Sequence, residues 1–306
     1  MKKEKIARIE EKIRSVFDQE YQIIKMLGNG GMGCVFHVQS NAIETADFAL
    51  KVLDKEAYFD NKLDFMREAD VMKGLDHPGI PKIIEVTEDQ EYVYMVQEYI
   101  RGESLSLIIR KCGKIREEYL KIWMKSIAAT FDYLHQQGLI HRDIKPDNMM
   151  LTDDCEIKII DFGLARKKEQ IDQADKNVFG TLSFTAPERF TKKVGTVQTD
   201  IYGFGVTMYY VTTGKKPENM KTSPFESYAI MEKKLNETAP QEITQILMKA
   251  IAVKPHLRYS SFEEILGDLA SGNQIKDVEF EERQIQASNV LLILAMLFLI
   301  ALISAY

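Results

Sequence analysis

The stretch His141-Arg142-Asp143-Ile144-Lys145-Pro146-Asp147-Asn148 is the most informative part of the sequence, and Asp161-Phe162-Gly163 follows it after a strand-like run over residues 156–160. An Asp can accept the proton of an attacking hydroxyl, and a Lys can neutralise a moving phosphoryl group. An Asn with a second Asp can hold magnesium. Either motif alone could arise by chance. In this order and spacing, the two together are specific to phosphoryl-transfer chemistry.

A glycine-rich stretch lies upstream, Leu27-Gly28-Asn29-Gly30-Gly31-Met32-Gly33-Cys34-Val35, and it fits the pattern G-x-G-x-x-G-x-V. The apolar runs on either side predict a hairpin, whose glycines let backbone N–H groups approach phosphates. Dinucleotide-binding folds use the same glycine spacing, but there the glycines open a helix after a strand. A strand-like segment follows the glycines here, and the Gly-Lys-Ser/Thr ending of nucleoside-triphosphatase loops is absent from the motif.

The third motif is Phe48-Ala49-Leu50-Lys51, which matches the strand pattern V-A-I-K. With these motifs in this order, the chain resembles the eukaryotic-type Ser/Thr protein kinases over about residues 21–270, and more narrowly their bacterial membrane-anchored type. The resemblance implies an α+β, bilobal protein-kinase-like fold with a small β-rich N-lobe and a larger helical C-lobe. It implies a membrane-tethered signalling kinase that phosphorylates Ser/Thr hydroxyls of protein substrates with ATP and Mg²⁺.

The resemblance also implies roles for individual residues. Asp143 is expected to orient and deprotonate the hydroxyl, while Lys145 and Lys51 stabilise charge. Glu68, on a helix predicted from about 61 to 75, is expected to pair with Lys51. The expected magnesium ligands are Asn148 and Asp161. The expected nucleotide-binding residues are Gly28, Asn29, Gly30, Gly31, Met32, Gly33, Val35, Ala49, Lys51, Gln97, Glu98, Ile100 and Met150.

Residues 98–100 are expected to form the hinge whose backbone meets the adenine edge. Gln97 then occupies the gatekeeper position, where the family more commonly has Met, Leu or Thr. A polar residue there either hydrogen-bonds within the pocket or is a tolerated variant, and the sequence does not choose between these. Lys145, two residues after Asp143, is typical of Ser/Thr rather than tyrosine kinases. Thr181 stands where the family has the Thr that this Lys contacts.

Apolar periodicity predicts the other elements. Strands are expected over 80–86 and 91–97, and helices over 115–137 and about 200–213, the second ending at Gly214. By resemblance, Asp200 is a structural residue that ties down the catalytic loop. Glu188, in Ala186-Pro187-Glu188, is expected to pair with a buried Arg258.

Composition indicates a reduced intracellular protein without a nucleic-acid partner. The chain has 306 residues, 45% of them hydrophobic, and a formal net charge of −6, so it can fill two cores but offers no basic footprint. Its three cysteines are too few and too dispersed for a disulfide framework or a metal site. Cys34, beside the nucleotide loop, is either oxidisable or, by the simpler interpretation, a small buried apolar residue.

Both ends of the chain lie outside the kinase-like region. Residues 1–20 place apolar side chains at helical spacing and predict an N-terminal amphipathic helix on the small lobe or on a partner. Residues 271–286 form a polar, acidic juxtamembrane linker. Residues 287–306 are predicted to form one transmembrane helix, because they carry no charge over about 20 residues and are apolar all round.

The transmembrane interpretation implies a single-pass protein of the cell membrane, with the bilayer as a partner and the kinase domain in the cytoplasm, where ATP is. The linker carries only two cations, Lys276 and Arg283, so charge bias does not decide the orientation of the span. The alternatives to a span are a buried core helix or a dimerisation segment. In the second case the apolar run would pack on a partner rather than span the membrane.

Two other function classes compete with a protein kinase. A pseudokinase scaffold would bind ATP or partners without catalysis, and loss of Lys51, Asp143, Asn148 or Asp161 would have favoured it. All four are present. A small-molecule kinase of related fold is disfavoured by the Ala-Pro-Glu segment, Thr181 and Arg258, which belong to the peptide-docking region that such enzymes generally lack.

The activation segment between Gly163 and Gly180 contains no Ser, Thr or Tyr. Relatives with a His-Arg-Asp motif commonly order this segment by phosphorylation, so that the phosphate pairs with the Arg equivalent to Arg142. Either a carboxylate from Glu169, Asp172 or Asp175 replaces the phosphate, or a partner or homodimer contact orders the segment.

Overall fold

The chain forms two units, each with its own core, in a computed structural model that describes residues 3–29, 33–41, 46–58, 72–161, 166–167, 182–192, 194–217 and 224–271. The first unit takes the described residues up to Glu103 together with 150–160. The second takes 104–149 and the described residues from Asp161 onward. The first is rich in strands and the second in helices. The predicted division into a β-rich and a helical part is therefore confirmed.

A five-stranded antiparallel sheet, ordered β1-β2-β3-β5-β4, forms most of the first unit. Its strands are β1 (Tyr21–Asn29), β2 (Gly33–Ser40), β3 (Asp47–Asp54), β4 (Ile83–Glu88) and β5 (Tyr92–Glu98). A short helix, α2 (Lys55–Tyr58), follows β3. β4 begins at Ile83 rather than at the predicted Ile80, because Pro81 has no N–H for a sheet and Ile80 closes a turn onto His77.

Helix α1 (Lys3–Val16) packs on one face of this sheet. Ile9 and Ile13 are 1% and 0% exposed, and Phe17 follows them into the same core. The sheet contributes alternate residues, as strand geometry requires. These core residues are Tyr21, Cys34, Phe36, Val38, Leu50, Val52, Tyr92, Tyr94 and Val96. The apolar stripe of the N-terminal segment is therefore buried within the first unit.

Ion pairs surround the contact between α1 and the sheet. Lys12 lies 3.1 Å from the carboxylate of Asp89 and 2.9 Å from that of Glu91, and Arg8 lies 2.7 Å from Glu91. Lys5 pairs with Asp54 at the end of β3. These side chains are partly exposed, so burial of the apolar face contributes more to stability than the charges do.

A smaller three-stranded sheet, ordered β6-β8-β9, lies almost entirely in the first unit. Its strands are β6 (Gly102–Ser104), β8 (Met149–Thr152) and β9 (Ile157–Ile159). β9 is shorter than the predicted run over residues 156–160. In the second unit, β7 (Leu139–Ile140) pairs with β10 (Arg166–Lys167).

Helices build the second unit: α3 (Leu105–Cys112), α4 (Glu117–Gln136), α5 (Arg189–Lys192), α6 (Val197–Thr213), α7 (Pro224–Thr238), α8 (Gln241–Ala250) and α9 (Phe262–Ser271). The predicted apolar face of α4 is confirmed, since all its members are buried: Leu120, Trp123, Met124, Ile127, Phe131 and Leu134. Every residue of α6 from Thr199 to Thr213 is buried, so α6 forms the centre of this unit.

The ends of α6 follow from its sequence. Thr196 caps the N-terminus through a reciprocal hydrogen-bond pair with Thr199. Gly214 ends the helix in the left-handed conformation, as predicted, with φ of 65°. The helix begins earlier than expected because the cap lies at Thr196, ahead of the apolar run.

Several sequence predictions lie outside the described residues. They concern the helix carrying Glu68, the glycine-loop residues 30–32, the activation segment over 168–180, and the C-terminal residues 272–306. Within the part of the chain that the structure describes, no helix has the length and hydropathy needed to cross a membrane.

The packing of α1 yields a prediction on stability. Ile13→Ala should lower the free energy of unfolding by roughly 2–5 kcal/mol, because it removes buried methyl groups from a fully enclosed site. Chemical denaturation of the full-length chain measures the change. Arg8→Ala, which removes only an exposed ion pair, is the matched control and should have a much smaller effect. Equal effects of the two substitutions would mean that α1 does not contribute its core residues to the folded state.

Candidate functional site

Three of the residues singled out in the sequence meet at one carboxylate. Lys145 Nζ donates to Asp143 Oδ2 at 2.6 Å, and Asn148 Nδ2 donates to the same oxygen at 3.0 Å. Asn148 Nδ2 also donates to the Asp143 carbonyl at 2.9 Å. The Asp143 and Lys145 side chains are 14% and 19% exposed. A carboxylate held in this way is oriented to accept a proton from a hydroxyl that approaches its other oxygen.

The loop that carries these residues runs from β7 into a 3₁₀ turn over Pro146–Asn148. Pro146 at the first position of the turn presets its backbone angle. Asn148, 6% exposed, donates from its nitrogen to Asp143, so its amide oxygen points away from that carboxylate. An amide oxygen is a ligand type that Mg²⁺ accepts, and the sequence motif assigns a carboxylate oxygen of Asp161 as a second ligand. Residues 162–165, which follow Asp161, are not among the described residues.

Asp200, in the first turn of α6, holds the start of the loop. Its carboxylate accepts the backbone N–H groups of His141 and Arg142, both at 2.7 Å, and the Nε2 of His135 at 2.9 Å. Burial by itself raises the pKa of Asp200, but the His135 hydrogen bond, the His135 and His141 charges and the Arg142 N–H outweigh it and hold the pKa below its usual range. The predicted structural role of Asp200 is confirmed.

His141 packs in the same interior with 1% exposure. Burial lowers the pKa of His141 against the opposing charges of Asp200, Asp143 and Asp161. The His141 ring packs edge-on against Phe131.

The pair between Glu188 and Arg258 also forms. The Arg258 guanidinium donates to both Glu188 oxygens, at 2.7 and 2.9 Å, and its side chain is fully buried. Its remaining N–H groups donate to the carbonyls of Ala252, Gln198 and Val253. All five donors of a guanidinium are thus satisfied. The predicted pair is confirmed, and it anchors the Ala-Pro-Glu segment.

The residues expected to bind the nucleotide lie in the first unit. In the sheet ladder, Val35 pairs with Lys51, which pairs with Met95, and Ala49 pairs with Gln97. Because α1 covers Phe36, Leu50 and Val96, the alternation of strands places Val35, Ala49, Lys51 and Gln97 on the opposite face. These four residues therefore share the face that α1 leaves uncovered.

The other expected nucleotide contacts are placed as follows. Gly28 and Asn29 end β1, Gly33 begins β2, Ile100 is buried after β5, and Met150 lies in β8. A Cβ on Gly33 would lie 2.0 Å from the Val52 carbonyl oxygen, so only glycine allows β2 to pair this closely with β3. Gly30, Gly31, Met32 and Glu68 are outside the described residues.

Cys34 occupies the α1 face rather than the nucleotide face. It is 2% exposed, and burial raises the pKa of its thiol to about 12. A thiol in that state is unreactive, which supports the interpretation of Cys34 as a small core residue.

Two contacts were missed in the sequence. His135, at the end of α4, bonds Asp200 across 65 positions, and nothing local distinguishes it from a surface His. Lys158 donates to both oxygens of Glu98, each at 3.0 Å, and so ties β9 to the expected hinge. A polar residue between the buried Ile157 and Ile159 was the available signal for Lys158.

Comparison with known proteins agrees with this geometry. A family model described as a protein kinase domain matches residues 21–268. A probable serine/threonine-protein kinase of Clostridium acetobutylicum is 31% identical over 278 residues, covering 87% of this chain and 42% of the relative. The serine/threonine-protein kinase PrkC of Bacillus subtilis is 30% identical over 258 residues, covering 81% and 40%. Sperm motility kinase 3A of Mus musculus is 34% identical over 200 residues, covering 65% and 39%.

This chain therefore spans about two fifths of the length of these curated relatives. The family match ends near α9, and helix α1 lies ahead of its first residue.

The Arg258 pair gives a prediction. Arg258→Met should lower the free energy of unfolding by about 3–5 kcal/mol, since it leaves the Glu188 carboxylate without its guanidinium. Combining it with Glu188→Gln should restore part of the loss, because the unpaired charge is then gone. Urea denaturation of the three variants measures this coupling. A double variant no more stable than Arg258→Met would contradict the pairwise interpretation.

Proposed function

This chain belongs to the protein kinase family, and we propose on that premise that it transfers the γ-phosphoryl group of ATP to Ser and Thr hydroxyls of protein substrates. The observation that carries the proposal is the Asp143 carboxylate held by Lys145 and Asn148. The relatives named above are described as serine/threonine or sperm motility kinases.

The chemistry follows from the residues of the loop. Asp143 receives the hydroxyl proton as the oxygen attacks the γ-phosphorus, and the bond from that phosphorus to the bridging oxygen breaks to release ADP. Lys145, already bonded to the Asp143 carboxylate, stabilises the negative charge that develops. Asn148 and Asp161 would hold Mg²⁺, which would supply charge neutralisation at the phosphates. Lys51 contacts the α- and β-phosphates, and the glycine-rich stretch covers them, in the roles carried over from the family.

Protein rather than small-molecule substrates are supported by the second unit. The Glu188–Arg258 pair fixes the segment that follows the activation segment, where the family docks peptides. Lys145 beside Asp143 matches the Ser/Thr class. Thr181, its expected partner, is outside the described residues.

The catalytic proposal is tested by substitution. Lys51→Met, Asp143→Asn and Asp161→Ala should each lower phosphorylation of a generic Ser/Thr protein by about 10²–10⁴-fold, because each removes a group that acts in one transition state. For the same reason their effects should not add. Transfer of labelled phosphate from ATP by the full-length chain measures the rate. A wild type that binds Mg-ATP but transfers nothing above the Asp143→Asn background would support the scaffold alternative instead.

We also propose that residues 287–306 anchor the chain in the cell membrane as a single span, with the kinase domain in the cytoplasm. The support is the sequence alone, an uncharged run of about 20 residues that is predominantly apolar from Val290 onward. Binding of the chain to the lipid bilayer stays a prediction, and so does a homodimer.

The anchor is tested by fractionation of cells that express the full-length chain. The wild type should sediment with membranes and resist carbonate extraction. Leu294→Arg with Phe298→Arg should weaken insertion, at roughly 2.5–3.5 kcal/mol per central charge. Leu294→Val with Phe298→Leu, which stays apolar, should behave as the wild type. Full-length protein that remains soluble without detergent would refute the anchor.

A further inference from the structure

The peptide unit between Arg142 and Asp143 follows a residue with a strained backbone, Arg142. Arg142 adopts a left-handed backbone conformation, with φ of 72°, which a side chain with a Cβ rarely takes. Such a conformation costs on the order of 1–3 kcal/mol and persists only when the surroundings impose it. Its position directly before Asp143 means that the strain sets the direction in which the catalytic carboxylate leaves the backbone.

One side of this turn is held by Asp200, which accepts the Arg142 N–H at 2.7 Å. The other side is held by Arg189. Arg189 Nη1 donates to the Arg142 carbonyl oxygen at 2.7 Å, across 47 positions of sequence. The same peptide unit carries the Asp143 N–H, which lies 3.4 Å from His141 Nδ1. Because a peptide unit is planar, a bond to its carbonyl also fixes its N–H and the next Cα.

Arg189 is itself rigidly placed. It is 3% exposed, and its backbone N–H donates to Ala186 O at 3.0 Å in the turn that starts α5. The residue before it, Glu188, is bound by both arms of Arg258. Burial lowers the pKa of Arg189, while the charges of Asp200, Asp143 and Glu188 oppose that shift. The Arg189 guanidinium is therefore a buried charge that bonds the Arg142 carbonyl, not a solvated surface charge.

The Arg142 side chain has a constraint of its own. A Cβ added to Gly195 would lie 2.6 Å from Arg142 Cγ and 2.7 Å from its Nε, so glycine at this position leaves the space that the side chain occupies. Asp200 and Arg189 thus hold the backbone of Arg142, and Gly195 makes room for its side chain.

We propose that Arg189 is a positioning residue for the phosphoryl transfer proposed above, one that acts through Asp143 without touching the substrate. It holds the Arg142–Asp143 peptide unit in the orientation that directs the carboxylate toward the attacking hydroxyl. Lys145 and Asn148 act at a different point, since their hydrogen bonds go to Asp143 itself.

Kinetics of the full-length chain test the proposal. Arg189→Met should lower kcat by about ten- to a hundredfold, the range for loss of a charge-assisted hydrogen bond, while KM for ATP changes less than about twofold. Arg189→Lys keeps a donor and should recover part of kcat. Arg110→Met, an exposed arginine on α3, is the matched control and should retain wild-type kinetics.

A readout independent of activity accompanies the kinetics. Amide hydrogen exchange, followed by mass spectrometry, should rise over residues 141–145 in Arg189→Met and stay unchanged over α6. The same rise should appear in an Asp143→Asn background, where there is no turnover. Gly195→Ala, which displaces the Arg142 side chain, should reproduce the loss of kcat with Arg189 intact.

The outcomes separate the two levels of inference. An inactive wild type would overturn the proposed function, and this inference with it. An active wild type with Arg189→Met of unchanged kcat would overturn the positioning role alone. If Arg189→Met fails to fold, Arg189→Gln, which is too short to reach the Arg142 carbonyl, decides the question. A folded variant with reduced kcat, unchanged KM for ATP and raised exchange over 141–145 supports the role, and wild-type kcat with unchanged exchange overturns it.

Discussion

The buried carboxylate of Asp200 is the interaction on which the functional loop depends. At 1% exposure it must be satisfied by hydrogen bonds, and the loop supplies two of them from its own backbone. Asp200 lies in the first turn of the central helix α6. The position of the loop is therefore set by the most deeply buried element of the second unit. The placement of Asp143 is therefore a consequence of core packing rather than of the loop's own sequence.

The two faces of the five-stranded sheet in the first unit have different roles. Strand alternation sends Phe36, Leu50 and Val96 toward α1, and sends Val35, Ala49 and Lys51 to the other face. The helix that precedes the family match is thus a structural part of the unit, because it shields the apolar face of the same strands that carry the expected nucleotide contacts. Ion pairs at the rim orient this helix but contribute little to its stability.

The consecutive residues Glu188 and Arg189 bind two different parts of the second unit. Glu188 bonds Arg258 and closes a network in which every guanidinium donor has an acceptor. Arg189 turns the other way and bonds the carbonyl beside Asp143. Burial of charged groups is tolerated here because each has compensating partners, and the same partners fix the geometry of the loop.

The sequence by itself determined the motifs around Asp143 and Asp161, the buried face of α4, and the end of α6 at Gly214. These depend on residue type, helical period and the left-handed freedom of glycine, all of which are short-range. The sequence predicted strand starts less well. β4 begins at Ile83 rather than at residue 80, because Pro81 has no N–H to donate to the sheet. Only the tertiary structure decided that α1 packs on the sheet, that His135 bonds Asp200, and that Arg189 reaches Arg142. Those contacts join residues far apart in the chain, and their distances are set by how the helices and strands pack, which no local pattern of residues records.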